Sequence, residues 1–396
     1  MFNFTREFNG CGWSRLRNEF LKILTVSHYF ESNGAGVEII ASKIRQRLRI
    51  HGMSVRWIAA RSKNRVTYSE PSDGDCVALR MWDGIRVVTD LAWPLPSPFS
   101  LGVFWREVRR ADVVHLHEPF YPACQIVYWF ARVLKKPIVI TQHIADMPVA
   151  GRLRKQAVAL ANTVFTRPAH YGAAKVVFYS TRSMQFFRSS VVGKNHLIHN
   201  GCDSDVFRCA DVEEVVSLRQ RLGLVTKRPV VLFVGRFIEK KGLRILRQVA
   251  EKTPDADFVF VGLGPLDPGT WGLSNVRVIP PCGHEALAEY YRASDVLALP
   301  AVGEGFPLVV QEAMCSGLPC LVSNDVAEAC PELIDAFLLA GPAGVYTHAA
   351  LKTYLSHPRD WNSRREIARR ATDLWSWERC GTEYLNVFHS LQSDEN

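Results

Sequence analysis

Short, uniformly apolar runs recur along this chain, separated by longer stretches with helical spacing. In the first half the runs are "LKILTVS" (21–27), "SVRWIAA" (54–60), "DVVHLH" (112–117), "PIVITQ" (137–142) and "KVVFYS" (175–180). In the second they are "PVVLFVG" (229–235), "DFVFVG" (257–262), "NVRVI" (275–279), "DVLALP" (295–300) and "PCLVS" (319–323). Strands this apolar belong in a sheet covered on both faces. Segments such as "GVEIIASKIRQRLRIHG" carry helical periodicity between them. Strands alternating with helices predict right-handed βαβ units and parallel sheets.

The series breaks between "HNGCDSDVF" (199–207) and "LRQRLGLVTKRP", where turn residues and a polar helical segment precede a fresh strand. The chain has 396 residues, more than one hydrophobic core usually serves. The expected fold class is therefore α/β, with two Rossmann-like doubly wound parallel-sheet domains facing across a cleft. The domain boundary is expected near 200–210, with domains over 1–205 and 206–375. In such sheets ligands bind at the carboxyl ends of the strands.

Composition narrows the class. Charged residues make up 22% of the chain, an ordinary globular balance. The N-terminal stretch is too charged for a signal peptide, and the longest apolar run, near 123–134, is too short to span a bilayer. The ten cysteines show no C-x-x-C pair and no zinc spacing, so reduced thiols and a cytoplasmic location are expected. The net charge of +9 is unevenly shared: residues 1–200 hold 28 Lys+Arg against 13 Asp+Glu, and residues 201–396 hold 20 against 26. Basic clusters at 45–49, 105–110 and 152–155 lie near Trp, Phe or Leu. They would suit an anionic membrane surface, placing the protein peripherally at the inner face of the cytoplasmic membrane, or an anionic acceptor. Solvated helix faces are the plainer reading. No nucleic-acid-binding motif is recognised, and no nucleic-acid partner is expected.

The stretch "EGFPLVVQEAMCSG" places Glu304 and Glu312 in an otherwise apolar segment. Pro307 suits the first helical position and Gly317 the residue after the end, predicting a helix of about three turns. Glu304 precedes it and Glu312 sits midway. Eight helical residues rise about 12 Å, whereas glycosidase carboxylate pairs stand about 5 or about 6.5–9.5 Å apart. Two separate contacts along one long ligand fit better than an acid–base pair, with capping by Glu304 as the plain alternative. The backbone N–H groups of Phe306 and Leu308 at the helix start favour an anion such as phosphate.

In "VGRFIEKKG" a strand ends at Gly235, Arg236 follows, and Lys241 lies at a helix start. Two cations and a helix N-terminus at a strand's carboxyl end suit a diphosphate. "VGLGP" places Gly264 at the next strand end, where a backbone can approach a ligand closely. Gly34 and Gly36 open the first helix, without a full dinucleotide fingerprint. "HLHEP" ends a strand at His117, with His115 inside the sheet. His143 ends the next strand, so two histidines converge at one edge. No metal-ligand spacing accompanies them.

In this order and spacing, these segments resemble the retaining family-4 ("group 1") glycosyltransferases, which have the two-Rossmann GT-B fold. The matching residues are Glu304 and Glu312, Gly235-Arg236 with Lys241-Gly242, "N-G-x-D" at Asn200, Gly201 and Asp203, the glycine loop 34–36, and His115 to Pro119. The ending "WSWERCGTEYLNVF" is similar to the family's last helix, so residues 376–396 are expected to cross back to the first domain. The resemblance implies a metal-independent hexosyltransferase without a cofactor, moving a hexose from UDP- or GDP-hexose to a glycan or lipid-linked acceptor in envelope or exopolysaccharide synthesis. It implies catalytic roles for Glu304, His117, Arg236 and Lys241. Arg236 and Lys241 would hold the diphosphate, Glu304 with the N–H groups of Phe306 and Leu308 the donor sugar, Glu312 the ribose, and His117 the sugar near the reacting carbon. Gly34, Gly36, Gly235, Gly264 and Pro307 would complete the donor site. Two departures stand out: Pro280 where the family often has glycine, which leaves the base open, and "GAG" in place of "GG". Rival readings are an epimerase or phosphorylase on the same fold, or a degenerate sugar-nucleotide-binding partner.

Overall fold

The computed structural model describes residues 21–31, 36–60, 74–82, 93–144, 152–224, 227–302, 306–341, 344–357 and 360–393, without the side chains of 152–155 and 393. The first half forms β1 (Lys22–Tyr29), β2 (Ser54–Ala60) and β3 (Cys76–Leu79). A small antiparallel ribbon follows, β4 (Met81–Trp82) with β5 (Leu95–Pro96). Then come β6 (Val113–His117), β7 (Ile138–Gln142), β8 (Lys175–Phe178) and β9 (Asn195–Leu197). The sheet order is β3-β2-β1-β6-β7-β8-β9, and every pairing in it is parallel.

The second half repeats the plan. It contains β10 (Val230–Val234), β11 (Asp257–Val261), β12 (Val276–Ile279), β13 (Val296–Leu299), β14 (Cys320–Val322) and β15 (Phe337–Leu339), ordered β12-β11-β10-β13-β14-β15. All of its pairings are parallel too. The order reverses between β1 and β6 in one sheet and between β10 and β13 in the other. Each reversal opens a crevice at the carboxyl ends of its two strands.

The strands expected from uniform apolar runs are present, and the central ones are buried along their whole length, as in β6, β7, β10 and β13. The structure adds β3, β9 and β15, which the apolar pattern did not single out. They are three of the four edge strands and only partly buried, so their sequences need not be continuously apolar. The second half closes over one large core built on Phe233, Phe258, Phe260 and Trp375. The core of the first half is shared with the last helix, Trp377–Ser393, whose Tyr384, Phe388 and Leu391 pack with Ile23, Ile44 and Val113. The nine described cysteines are free, and no described helix is long and apolar enough to cross a membrane.

Two further contacts fix the frame. Between the halves, the Cys202 N–H donates to the Trp375 carbonyl at 2.5 Å. Gly201 there has Trp377 so close that a side chain would begin 2.4 Å from its ring, so no larger residue fits. At the amino-terminal edge of the second sheet, Arg219 pairs with Asp295 at 2.5 Å, both buried. Asp295 also accepts the N–H of Val230 at 2.7 Å. This ion pair ties the starts of β10 and β13 at the edge opposite the crevice.

Candidate functional site

At the second crevice, β10 ends at Val234 and the chain turns through Gly235 into an exposed Arg236. Lys241 folds back over that end: its Cε lies 3.9 Å from where a side chain at Gly235 would begin. The loop carrying Lys241 is joined to the segment after β13, because Val302 N–H donates to the Lys240 carbonyl at 2.9 Å. Gly242 adopts a left-handed φ of 80° against Pro300. The cations therefore sit at the reversal between β10 and β13. Gly264 has an internal reason as well, since a side chain there would begin 2.5 Å from the Phe237 carbonyl oxygen.

The helix after β13 runs over Leu308–Cys315, eight residues. This corrects the expectation of about three turns. Pro307 is its N-cap in extended conformation, not its first helical residue; its ring-fixed φ suits the approach to the helix equally well. Gly317 beyond the end has the expected left-handed φ, 69°. The Phe306 side chain is buried against Trp375, ring centres 5.2 Å apart. Glu304 and Gly34 lie outside the described residues.

Glu312 is half-buried, and its Oε2 accepts from the Tyr291 hydroxyl at 2.9 Å. Burial pushes its carboxyl up to about 7, against a smaller opposing effect from the Tyr291 hydrogen bond. Glu312 lines an open pocket that is bounded by both halves: Lys43 from the first, and His284, Leu308 and Gln311 from the second. Leu308 Cδ1 also lies 3.9 Å from where a side chain at Gly36 would begin. The glycine-loop helix of one half thus meets the glutamate helix of the other.

At the first crevice the chemistry is different. His117 is fully buried, and its Nδ1 lies 3.0 Å from His143 Nε2. Burial holds His143 down at about 3, and burial with the nearby His115 and His143 holds His117 well below the usual histidine range. Both rings are neutral at neutral pH. His115, inside the sheet, contacts Thr141 Oγ1 at 2.8 Å, and that hydroxyl meets Tyr384 OH at 3.0 Å. His28 at the end of β1 contacts Glu38 at 3.0 Å and stacks on Tyr121. Among the described residues, no group of three or more His, Cys, Asp or Glu is placed to hold a metal ion.

The structure brings together Gly235 with Lys241, and Gly36 with Leu308. His117 stands apart in the first half, bonded to His143. Sequence reasoning missed Tyr291, Glu118 and Tyr384 because their partners are far along the chain; "YYRASD" contains nothing that announces a bond to Glu312.

Two family models match the chain: "Glycosyltransferase Family 4" over residues 34–206 and "Glycosyl transferases group 1" over residues 228–350. Between them they span both crevices. The chain belongs to the group 1, family 4 glycosyltransferases. Curated members of the family similar to it include the sulfoquinovosyl transferase SQD2 of Arabidopsis thaliana, 27% identical over 78% of this chain and 64% of that protein. A D-inositol 3-phosphate glycosyltransferase 1 of Catenulispora acidiphila is 36% identical over 49% of this chain and 51% of that protein. The chain thus spans about half to two thirds of the length of these relatives. Among solved structures, sucrose-phosphate synthase from Thermosynechococcus elongatus superposes with a TM-score of 0.71 at 19% identity, over 94% of this chain and 100% of that one. Anabaena HepE in complex with UDP and glucose gives 0.68 at 17% identity, over 93% and 100%. The family fold is the two-domain GT-B architecture described above.

Proposed function

We propose that this protein is a glycosyltransferase that moves a hexose, with retention, from a nucleotide-sugar donor to a glycan or lipid-linked acceptor. The observation that carries the reading is the β10–β13 reversal, where Arg236, Lys241 and the start of the helix Leu308–Cys315 gather in a fold of this family. Arg236 and Lys241 would neutralise the diphosphate as the leaving nucleotide gains charge. The half-buried Glu312 would accept from the ribose hydroxyls, and Glu304 with the N–H groups of Phe306 and Leu308 would hold the sugar. His117, being neutral, would act as a hydrogen-bond partner of the sugar. With two side-chain cations and a helix end in place, the reaction would need no metal. The test is nucleotide release from a panel of UDP- and GDP-hexoses, with and without EDTA. Turnover unchanged by EDTA is expected; the absence of release and of thermal stabilisation with every donor overturns the reading.

The acceptor half is the basic one, and its surface supports a membrane-borne acceptor. Phe99, Leu101, Trp105, Trp129 and Val133 are exposed on the neighbouring helices Leu101–Arg110 and Pro122–Val133 and the turn before them. Arg106, Arg109, Arg110 and Arg132 are exposed beside them. The one acid of the first helix, Glu107, is buried under Arg56, Arg106 and Arg110. Apolar anchors among cations suit an anionic lipid surface. The cluster at 45–49 is occupied differently: Arg45 is buried, Arg47 faces Glu378 and Arg49 faces Asp75. The side chains of the third cluster, 152–155, lie outside the described ones. Binding to vesicles with anionic lipid at low salt is expected, and loss of it in the double variant Trp105→Ala, Trp129→Ala; equal binding to neutral vesicles would contradict it.

A further inference from the structure

Glu118 has a backbone that ordinary residues avoid. It follows the last residue of β6 and has a φ of 66°, a left-handed conformation that costs a non-glycine residue about 1–2 kcal/mol. Strain of this kind persists where the surroundings over-determine it, and it concentrates at functional sites. Here the surroundings are plain. The Glu118 N–H donates to the Thr141 carbonyl at 2.9 Å. Its carboxylate receives the backbone N–H groups of His143 at 3.1 Å and Ile144 at 2.9 Å, and the Gln142 side-chain amide at 2.8 and 3.0 Å. All of these partners are donors, so the carboxylate is used purely as an acceptor. The Gln142 amide is oriented in turn, because its Oε1 lies 3.0 Å from His170 Nε2, and His170 Nδ1 lies 3.2 Å from Ser190 Oγ.

These bonds join the ends of β6 and β7, which carry His117 and His143. The two rings meet end to end, with centres 5.3 Å apart and planes 22° from parallel, and share one N···N contact at 3.0 Å. Two neutral imidazoles bonded this way share a single proton. Whichever ring donates, one outer nitrogen carries N–H and the other a lone pair. Those outer nitrogens are His117 Nε2 and His143 Nδ1, and both are buried without a partner among the described residues. The two outer nitrogens lie at opposite ends of the bonded pair, so one ligand group meets only one of them, and an uncharged hydroxyl, which donates and accepts, suits either state of that nitrogen.

We propose that Glu118 is a positioning residue, clamping β6 to β7 so that His143 fixes the orientation in which His117 Nε2 meets an uncharged hydroxyl of the ligand. This rests on the glycosyltransferase reading for its ligand, but the clamp is testable without it. In the unliganded protein labelled with ¹⁵N-histidine, NMR should show the N–H···N coupling between His117 and His143, and Glu118→Ala should abolish it. With a turned-over nucleotide sugar, Glu118→Ala should lower kcat about 100-fold, the scale of a small misplacement at a reacting centre. The KM for the nucleotide sugar should stay within about twofold, because the diphosphate end is held in the other half. Glu118→Gln, which keeps one acceptor oxygen, should lose about tenfold in kcat. Persistent coupling in Glu118→Ala overturns the clamp, as does wild-type kcat in Glu118→Gln if the alanine variant fails to fold. A wild-type protein that turns over no nucleotide sugar overturns the ligand reading, while the NMR result still decides the clamp.

Discussion

The two crevices share one topology and differ in what they place at their strand ends. The β10–β13 reversal offers an exposed arginine, a lysine folded over a glycine, and the start of a helix. The β1–β6 side offers buried neutral histidines and a strained carboxylate. The difference runs against the overall charge of each half. The acidic half carries the cationic strand end, and the basic half carries the neutral one. Net charge therefore speaks to the outer surface and its long-range partners, while the ligand end to be held is set by a few residues at the reversal.

The largest expected effect separates frame from site within one sheet. Arg219→Ala leaves Asp295 buried and unpaired at the edge opposite the crevice, and should lower unfolding stability by about 3–5 kcal/mol. Urea denaturation would measure it, and the folded fraction should keep wild-type turnover. Next in size, Lys241→Ala should reduce transfer about 100- to 1,000-fold, the usual scale for losing one transition-state charge partner, with an unchanged melting temperature. Full activity there would erase the contrast between the two strand ends.

The pH profile sharpens the comparison, since each crevice holds one carboxyl raised to about 7 by burial, Glu118 and Glu312. If Glu312 accepts from the ribose, donor affinity should rise as pH passes upward through about 7, and Glu312→Gln should flatten the accompanying fall in donor KM. For stability the sign is opposite. A carboxyl raised in the folded state holds its proton there longer than in the unfolded chain. Its contribution is full below the ordinary value of 4.5 and is lost as pH rises through about 7. Melting temperature measured from pH 4.5 to 7.5 should fall less steeply in either glutamine variant than in the wild type. The smallest effect is expected from Tyr291→Phe. It removes the hydrogen bond that holds the Glu312 carboxyl down, so the inflection in donor KM should move to higher pH.

Much of the fold was legible because central strands of a doubly wound sheet are covered on both faces and must be apolar throughout. "VVLFV" and "VVHLH" need no partner to be recognised. Three of the four edge strands, β3, β9 and β15, escaped notice because half-exposed strands need not carry such a mark, although β12 happens to. At the site, Arg236 and Lys241 were legible because a strand end, a glycine and a helix start are consecutive in the chain. Glu312 was legible as a residue, but its bond to Tyr291, 21 residues earlier, was not. Glu118 stood in a segment already noted for its histidines, yet nothing in "HLHEP" tells that its φ is positive or that it reaches the end of the next strand.

The sequence by itself determined the alternation of strands and helices, the two-part organisation and the local clusters of cations and glycines, because each depends on residues close together along the chain. Only the tertiary structure decided which histidine nitrogens share a proton, which carboxyls are raised, and which basic cluster faces outward. Those properties depend on burial and on partners brought from distant segments, and desolvation acts on a group only once the fold has enclosed it.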